Sequence, residues 1–283
     1  MRIFGTNVLK SRDIDRVIVL GSGMSILDLT KEEKKHIARC KYVIAFNKFM
    51  AFYKKAGVLP THVYFYDKHD NSFDFFKYIL KVCRKDSLCN LTFITNELYA
   101  QNRKSFKSFF KFYRLRIEKK VLHKKLSIEE KEWIRNFKNN SLLYPINSKI
   151  LAINVGTMIE GGDWAANLKQ KIFHYRGSLT SVLNICTILF PNTDVFLVGN
   201  DFNYSSYFFE EEINELKFAW KDWTYDLVKK EGKHFSYQNY QGTSMEDNFL
   251  FIIESMSKTN NNLYCINPNS LLIESGVKYK PLL

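Results

Sequence analysis

The chain has 283 residues, of which 46% are hydrophobic and 16% aromatic, a composition that supports a full core and excludes wholesale disorder. The net charge of +13 favours polyanionic partners: nucleic acid, an anionic membrane surface or a phosphorylated substrate. No signal peptide is visible, and no window approaches the roughly 18 apolar residues of a membrane-spanning helix, so any membrane contact is expected to be peripheral.

Short β-branched runs alternate with helical patterns along the first hundred residues. Strands are predicted at 16–20, 41–47, 61–67 and 90–96, and helical spacing of apolar residues extends over 26–40. Alternation of this kind is typical of βαβ units. The sequence therefore predicts the α/β class, with a mainly parallel sheet.

The middle of the chain, residues 102–140, is rich in Lys and Arg interleaved with Phe, Tyr and Trp. This composition predicts one or two amphipathic surface helices. The alternative is a face that sits on anionic lipid or near a charged acceptor. Nucleic acid is not expected as a partner, because no RNP, zinc-binding or helix-turn-helix signature is present.

The strand and helix pattern resumes in the last third of the chain. A strand ending at Tyr175, a buried helix ending at Phe190 and a strand over 194–198 are predicted. Residues 203–240 are polar and aromatic, which indicates an insertion. A helix over about 245–258 and a last strand at 262–268 are expected to close the domain.

Polar residues gather where the predicted strands end. In an open parallel sheet, ligands bind outside the carboxyl ends of the strands. The residues at these ends are Gly21, Ser22, Gly23, Asn47, Asp67, Arg176, Gly177, Ser178, Gly199, Asn200, Asp201 and Asn267 to Ser270. Small neutral groups of this kind suit a nucleotide and a sugar better than a metal cluster. An NAD site is disfavoured, because Ile26 replaces the last glycine of GxGxxG and no acid closes the second strand.

Motifs for metal binding and nucleophilic catalysis are not found. The six histidines show no HxH or HExxH spacing, and the Asp13-Ile14-Asp15 string precedes the first strand, where we expect a surface turn. The five cysteines lack a CxxC motif and are expected to be buried free thiols in a reducing cytoplasm. No GxSxG elbow is present. We therefore expect neither a metal nor a cofactor.

Five stretches occur in the same order as the motifs of a known family: VIVLGSGMSI, YVIAFNKF, FHYRGSLTSV, VFLVGNDFNYSSY and LYCINPNSLL. They resemble motifs of the bacterial sialyltransferases of glycosyltransferase family 42, which use CMP-sialic acid to cap lipooligosaccharide and capsule. The resemblance covers roughly 16–68 and 170–270. It implies a single Rossmann-like nucleotide-binding domain at 1–202 and 241–283, of the GT-A type without a DxD site. It also implies a small lid inserted at 203–240.

The resemblance implies a donor site at the strand ends. The residues carried over by motif are Gly21, Ser22, Gly23, Asn47, Asp67, Arg176, Ser178, Thr180, Ser181, Gly199, Asn200, Asp201 and Phe202. Ser22 stands where the family has Asn, and the family's third-strand Asn falls on Asp67 or Tyr66. The glycine turn would face the CMP ribose and phosphate, and Gly199 to Phe202 would hold the cytidine. One of the Ser178, Thr180 and Ser181 hydroxyls would hold the donor carboxylate.

The resemblance also implies catalytic residues in the lid. Two family tyrosines donate to the departing phosphate; Tyr207 matches the second, and the first falls on Asn203 or Tyr204. The family's general base is a histidine at the end of the lid, where this chain has Tyr240 or Gln241. His234 is the nearest histidine and is placed ahead of its rivals, which are His174, Asp67 and His69.

The function that the resemblance implies is an inverting, metal-independent glycosyltransferase. It would move a nonulosonic acid of the sialic, pseudaminic or legionaminic type from a CMP donor to a glycan or glycolipid of lipopolysaccharide or capsule. The CMP-sugar is then a co-substrate, and the expected location is cytoplasmic, peripheral on the inner membrane, with a homo-oligomer left open. The alternatives are a CMP-3-deoxy-octulosonic acid transferase, a flagellin-type motility accessory glycosyltransferase, a pterin pyrophosphokinase-like relative and a non-catalytic basic binding protein.

Overall fold

A single all-parallel sheet organises the protein in a computed structural model. The residues that the structure describes are 13–67, 72–101, 106–122, 126–127, 129–131, 142–156, 162–203, 206–216, 233–239 and 242–283. Its nine strands within these residues are β1 Ile14–Leu20, β2 Cys40–Phe46, β3 His62–Phe65, β4 Thr92–Asn96, β5 Lys149–Val155, β6 Lys171–Ile172, β7 Val195–Val198, β8 Leu263–Cys265 and β9 Lys278–Tyr279. Their order is β6-β5-β4-β3-β2-β1-β7-β8-β9, and each pairing is parallel. The α/β, Rossmann-like arrangement is thereby confirmed.

Helices connect the strands and cover both faces of the sheet. They are α1 Lys31–Arg39, α2 Tyr53–Ala56, α3 Ser72–Lys85, α4 Glu97–Gln101, α5 Phe106–Lys120, α6 Ser178–Leu189, α7 Glu210–Asn214, α8 Phe249–Ser257 and α9 Leu271–Glu274. Short 3-10 helices occur at Met24–Asp28, Asn47–Ala51, Phe235–Tyr237 and Glu246–Asn248. No helix in the described part of the chain is long and apolar enough to cross a membrane.

The central strand β1 divides two hydrophobic cores. Ile18 and Leu20 point into the core that contains residues of α1, α2 and α3, and Val17 and Val19 point into the core that contains residues of α6 and α8. All four side chains are fully buried. Burial on both faces explains why β1 is a continuous β-branched and aliphatic run rather than an alternating one.

The chain changes direction across the sheet at β1. From β1 it proceeds outward through β2 to β6, and then β7 returns to pair with the opposite side of β1. The crevice outside the carboxyl ends of β1 and β7 is therefore a topological switch point, which is where ligands bind in open α/β sheets.

The predicted single helix after β1 is wrong, because a capping box divides it. Leu29 and Thr30 separate the 3-10 helix from α1. The Thr30 hydroxyl accepts from Glu33 N at 3.2 Å, and Thr30 N donates to the Glu33 carboxylate at 2.8 Å. A Thr followed three residues later by Glu is the sequence signature of a helix start.

The predicted strand ending at Tyr175 is also wrong, because β6 ends at Ile172. Side chains of α6 take the backbone donors that would continue the ladder. Phe173 N donates to Asn184 Oδ1 at 2.9 Å, and Tyr175 N donates to Thr180 Oγ1 at 2.8 Å. Competition from local polar side chains therefore ends this strand early.

Three further differences from the predicted sheet concern β5, β9 and the start of β1. The strand β5 lies in a region for which no strand was predicted, and β9 follows β8, so β8 is not the last strand. The Asp13–Asp15 string is not a turn, since Ile14 and Asp15 begin β1. Asp13 instead accepts from Arg39 Nε at 3.1 Å, which holds the pKa of its exposed carboxyl below the usual value.

The two segments singled out in the sequence are described in part. Helix α5 lies within the basic segment 102–140, most of whose remaining residues lie outside the described ranges. Two ends of the predicted lid are described, and Phe208 and Phe209 at its start are buried in the first core. The division of the chain into a sheet domain and a lid stays a prediction.

Candidate active site

The turns that follow β1 and β7 are in direct contact. Gly21 N donates to Val198 O at 2.8 Å, and Gly23 N donates to Gly199 O at 2.7 Å. A Cβ atom on Gly21 would lie 2.3 Å from Gly199 O, far inside van der Waals contact. The close approach of these two segments of the backbone therefore accounts for both glycines of the G-S-G turn.

The carboxylate of Asp201, in the turn after β7, accepts hydrogen bonds from the segments that follow β1 and β8. It accepts from Ser25 N at 2.9 Å and from Asn267 Nδ2 at 2.8 Å, and it also accepts from the Ser25 hydroxyl. Asp201 is almost fully buried. Its direct contacts make it a positioning residue for the crevice, and its predicted contact with cytidine stays a prediction.

Asn200 lies beside Asp201 with one polar atom unused. Its Nδ2 donates to Val19 O at 3.0 Å and to Val198 O at 3.1 Å. Its Oδ1 is buried and has no hydrogen-bond partner in the structure. The same atom would be 2.5 Å from a Cβ on Gly21, so it faces the glycine turn.

At the end of β2, Asn47 connects three elements. Its Nδ2 donates to Ser178 Oγ at 2.8 Å, and its Oδ1 accepts from Tyr66 N at 3.3 Å. Ser178 is the first residue of α6, whose N-cap, Gly177, has no side-chain cap. The positive end of the α6 dipole therefore points toward the half-buried Asn47–Ser178 pair.

The other two predicted hydroxyls of α6 lie deeper. Thr180 Oγ1 accepts from Tyr175 N and is 2.9 Å from Gly177 O, so it shapes the turn before the helix. Ser181 Oγ is 2.7 Å from His174 Nδ1, and both residues are buried. Of the three hydroxyls predicted for the donor carboxylate, Ser178 is the one at the edge of the crevice.

Two bulky residues at the crevice adopt left-handed backbone conformations. Arg176 has φ 55° and Phe202 has φ 59°, and Arg176 is among the largest fully buried side chains. Its Nη2 donates to Gln238 O at 3.0 Å, so it ties the chain before α6 to the far end of the predicted lid. Such conformations cost about 1–3 kcal/mol each and occur preferentially at functional sites.

The structure brings together Tyr207 and His234, two residues predicted to be catalytic. The Tyr207 hydroxyl lies 3.4 Å from His234 Nε2. His234 N donates to Phe202 O at 2.9 Å, and the two rings meet edge to face. A backbone bond to the turn after β7 thus positions the histidine beside the tyrosine.

The hydrogen bonds of His234 define its tautomer. Ser236 N donates to Nδ1 at 3.2 Å, so Nδ1 carries a lone pair. The neutral ring then carries its proton on Nε2, which donates to the Tyr207 oxygen. In this arrangement His234 donates to the Tyr207 oxygen through Nε2, and Ser236 N occupies the lone pair of Nδ1.

Lys48 is a cation at the site, and it was not among the residues predicted from the sequence. It is buried, and its Nζ lies 5.7 Å from the centre of the Tyr207 ring. The sequence signal was its position directly after Asn47, at the carboxyl end of β2. An ammonium group here suits an anionic ligand.

The backbone also closes the crevice near the glycine turn. Phe208 N donates to Ser22 O at 3.1 Å, and the Phe208 ring packs on Phe49. Ser22 and Tyr207, on either side of this contact, are half-buried. This contact brings the start of the predicted lid onto the turn after β1.

The structure describes Asp67 among the remaining residues predicted for the site. Asp67 is half-buried after β3, and Tyr204, His69, Tyr240 and Gln241 lie outside the described residues. No group of three His, Cys, Asp or Glu side chains that could hold a metal ion occurs among the described residues.

All five cysteines are free thiols in the structure. None of the five forms a disulfide, and all except Cys89 are buried. Burial raises the pKa of Cys265, in β8 next to the crevice, to about 11. Its thiol is therefore protonated at neutral pH and is not poised as a nucleophile.

Comparisons of the chain with protein-family models, with curated proteins and with solved structures found no match. The resemblance to the bacterial sialyltransferases accordingly rests on the quoted motifs, and the crevice geometry described above is independent of it.

Proposed function

We propose that the protein is an inverting glycosyltransferase that moves a nonulosonic acid from a CMP donor to a hydroxyl of a bacterial surface glycan, without the help of a metal ion. One observation carries the proposal: the Tyr207–His234 pair lies beside the buried Lys48 at the switch point of a parallel sheet. These groups supply what a departing phosphate requires, namely a directed hydroxyl donor and a positive charge.

We assign each part of the donor to a different part of the crevice. The nucleotide would lie against the turns after β1 and β7, at the shared carboxyl edge of these strands. The sugar would extend toward Asn47 and Ser178. The anionic groups of the donor would then face the N-terminus of α6, where a helix dipole favours negative charge.

In the proposed reaction, the bond between the anomeric carbon and the phosphate oxygen breaks and its electron pair leaves with CMP. The acceptor oxygen bonds to the opposite face of the anomeric carbon, which inverts its configuration. Tyr207 donates to the leaving phosphate, and Lys48 offsets its charge. Both interactions strengthen as negative charge develops, so they stabilise the transition state more than the bound donor.

The acceptor proton requires a base other than His234 in this arrangement. His234 is engaged by Ser236 N and Tyr207, and His174 is buried against Ser181. Asp67 is half-buried, and the residue before it, Tyr66, donates its backbone N–H to Asn47 Oδ1, so Asp67 adjoins the proposed sugar end of the crevice. We therefore assign the base to Asp67.

Nucleotide binding tests the proposal through thermal stability. CMP at saturating concentration should raise the melting temperature equally with and without EDTA, while UMP and AMP should have smaller effects. A response only to ATP with Mg²⁺ would favour a pyrophosphokinase-like enzyme. No nucleotide response, together with tight salt-sensitive RNA binding, would overturn the proposal in favour of a basic binding protein.

A further inference from the structure

We infer that α5 is a docking helix that seats the protein on an anionic membrane surface. Its outer face carries an apolar stripe: Phe110 is 64% exposed, Ile117 is 54% exposed and Val121, just after the helix, is 66% exposed. Tyr113 is also exposed. The spacings of three and four residues place these four side chains on one face of the helix.

The opposite face of α5 packs on the protein. Leu115 is fully buried, and at 3.6 residues per turn it lies roughly 160° around the axis from Ile117. The apolar stripe therefore points away from the core. An ordinary surface helix has the reverse arrangement, with its apolar side inward and its polar side outward.

Exposed cations flank the stripe. Arg114 lies on one side of it and Arg116 on the other, and Lys111 and Lys119 are also exposed. Glu118 is the one acid in the helix, and Arg114 Nε lies 3.3 Å from it. Apolar side chains between cations match the chemistry of a bilayer surface, with acyl chains beneath anionic headgroups.

Charge complementarity favours lipid over the other occupants of such a face. A second copy of the chain would bring Arg114 and Arg116 close to their own copies, and like charges repel. Single-stranded nucleic acid stacks on aromatic rings, but the aliphatic Ile117 and Val121 offer it no stacking surface. The long Lys and Arg stems can lie along the apolar surface while their charges reach the headgroups.

The helix also lies close in sequence to the catalytic edge. β4 ends at Asn96 with its carboxyl end at the crevice side of the sheet, and α4 and then α5 follow. Residues 97–105 are all that separates α5 from that end of β4 along the chain. The inference rests on α5 alone and holds whether or not the proposed reaction is correct.

Vesicle flotation with the purified 283-residue chain tests the inference. The wild type should float with vesicles that contain roughly one-third phosphatidylglycerol, bind pure phosphatidylcholine much less, and dissociate as salt is raised. Ile117→Asp should weaken binding by roughly tenfold or more, because it removes an aliphatic group that the bilayer would bury and adds a negative charge. Arg114→Gln with Arg116→Gln should weaken binding to anionic vesicles specifically.

Leu250→Asp supplies the matched control. Leu250 is 68% exposed on a different helix, α8, so this variant should bind vesicles like the wild type. An Ile117→Trp probe should show a blue-shifted emission and quenching by brominated lipid when vesicles are added. Equal binding by Ile117→Asp and wild type at matched melting temperatures would overturn the inference. So would loss of a solution dimer, rather than of vesicle binding, on the same substitution.

Discussion

The hydroxyl of Tyr207 lies 3.4 Å from Nε2 of His234, although 27 residues separate them in the chain. The backbone amide of Ser236 fixes the histidine from its other nitrogen. Both ring nitrogens of His234 are thereby engaged. In the proposed reaction the phenol donates to the leaving group, and His234 positions that phenol.

The first prediction concerns Tyr207→Phe. Loss of the hydroxyl should lower kcat by roughly one to three orders of magnitude, the effect of removing one oxyanion-type donor, while KM for the donor sugar changes little. Initial rates of CMP release measure this. Tyr279→Phe, at an exposed tyrosine on β9, should retain wild-type kcat. Near-wild-type turnover of the Tyr207 variant would remove Tyr207 from the mechanism.

The second prediction separates the roles of His234 and Asp67 by chemical rescue of kcat. His234→Gln should lower kcat by roughly tenfold to a hundredfold, because Gln keeps a side-chain donor that can still orient the Tyr207 hydroxyl. Asp67→Ala should lose most of the activity and regain part of it with added formate, a small carboxylate that can take the acceptor proton. Rescue of His234→Gly by imidazole, with Asp67→Ala near wild type, would reverse the two assignments.

A third prediction follows from the place of Lys48. Lys48→Met keeps the buried stem and removes the charge, so the dissociation constant for CMP should rise by roughly tenfold, with a weaker effect for cytidine, which has no phosphate. Isothermal titration calorimetry with both ligands measures the difference. Lys41→Met, on the exposed side chain paired with Asp15, is the control and should bind CMP normally. An equal loss for CMP and cytidine would indicate misfolding of the crevice instead.

The fourth prediction concerns the buried carboxylate of Asp201. Asp201→Ala leaves the donors of Ser25 and Asn267 without their acceptor, so it should lower the free energy of unfolding by roughly 2–4 kcal/mol and also weaken CMP binding. Asp194→Ala is the control at the opposite end of β7. It removes a half-exposed carboxylate that contacts Asn262 and Lys280, and should cost at most about 1 kcal/mol. Equal stability losses in the two variants would contradict the positioning role of Asp201.

The sequence predicted the sheet well because buried parallel strands leave a strong local pattern. The uninterrupted Val17 to Leu20 run identifies β1, and the glycines that follow identify its turn. The early end of β6 was not predictable in the same way, since it depends on Asn184 and Thr180, which reach back from the next helix. Periodicity carries no information about such side-chain competition.

The site was predicted in part for the same reason. Residues at strand ends could be placed together because parallel strands share a carboxyl edge. The Tyr207–His234 contact depends on how the chain after β7 folds back, and no local pattern encodes that path. Lys48 was missed because a lysine after a strand is ordinarily a solvated surface residue, and only its burial beside Tyr207 distinguishes it.

A crystal structure of the protein with CMP tests the central claim most directly. The account predicts CMP at the carboxyl ends of β1 and β7, with a phosphate oxygen within about 3 Å of the Tyr207 hydroxyl and the Lys48 ammonium group near the same phosphate. CMP bound away from the switch point, or in the crevice with its phosphate directed away from Tyr207, would contradict it.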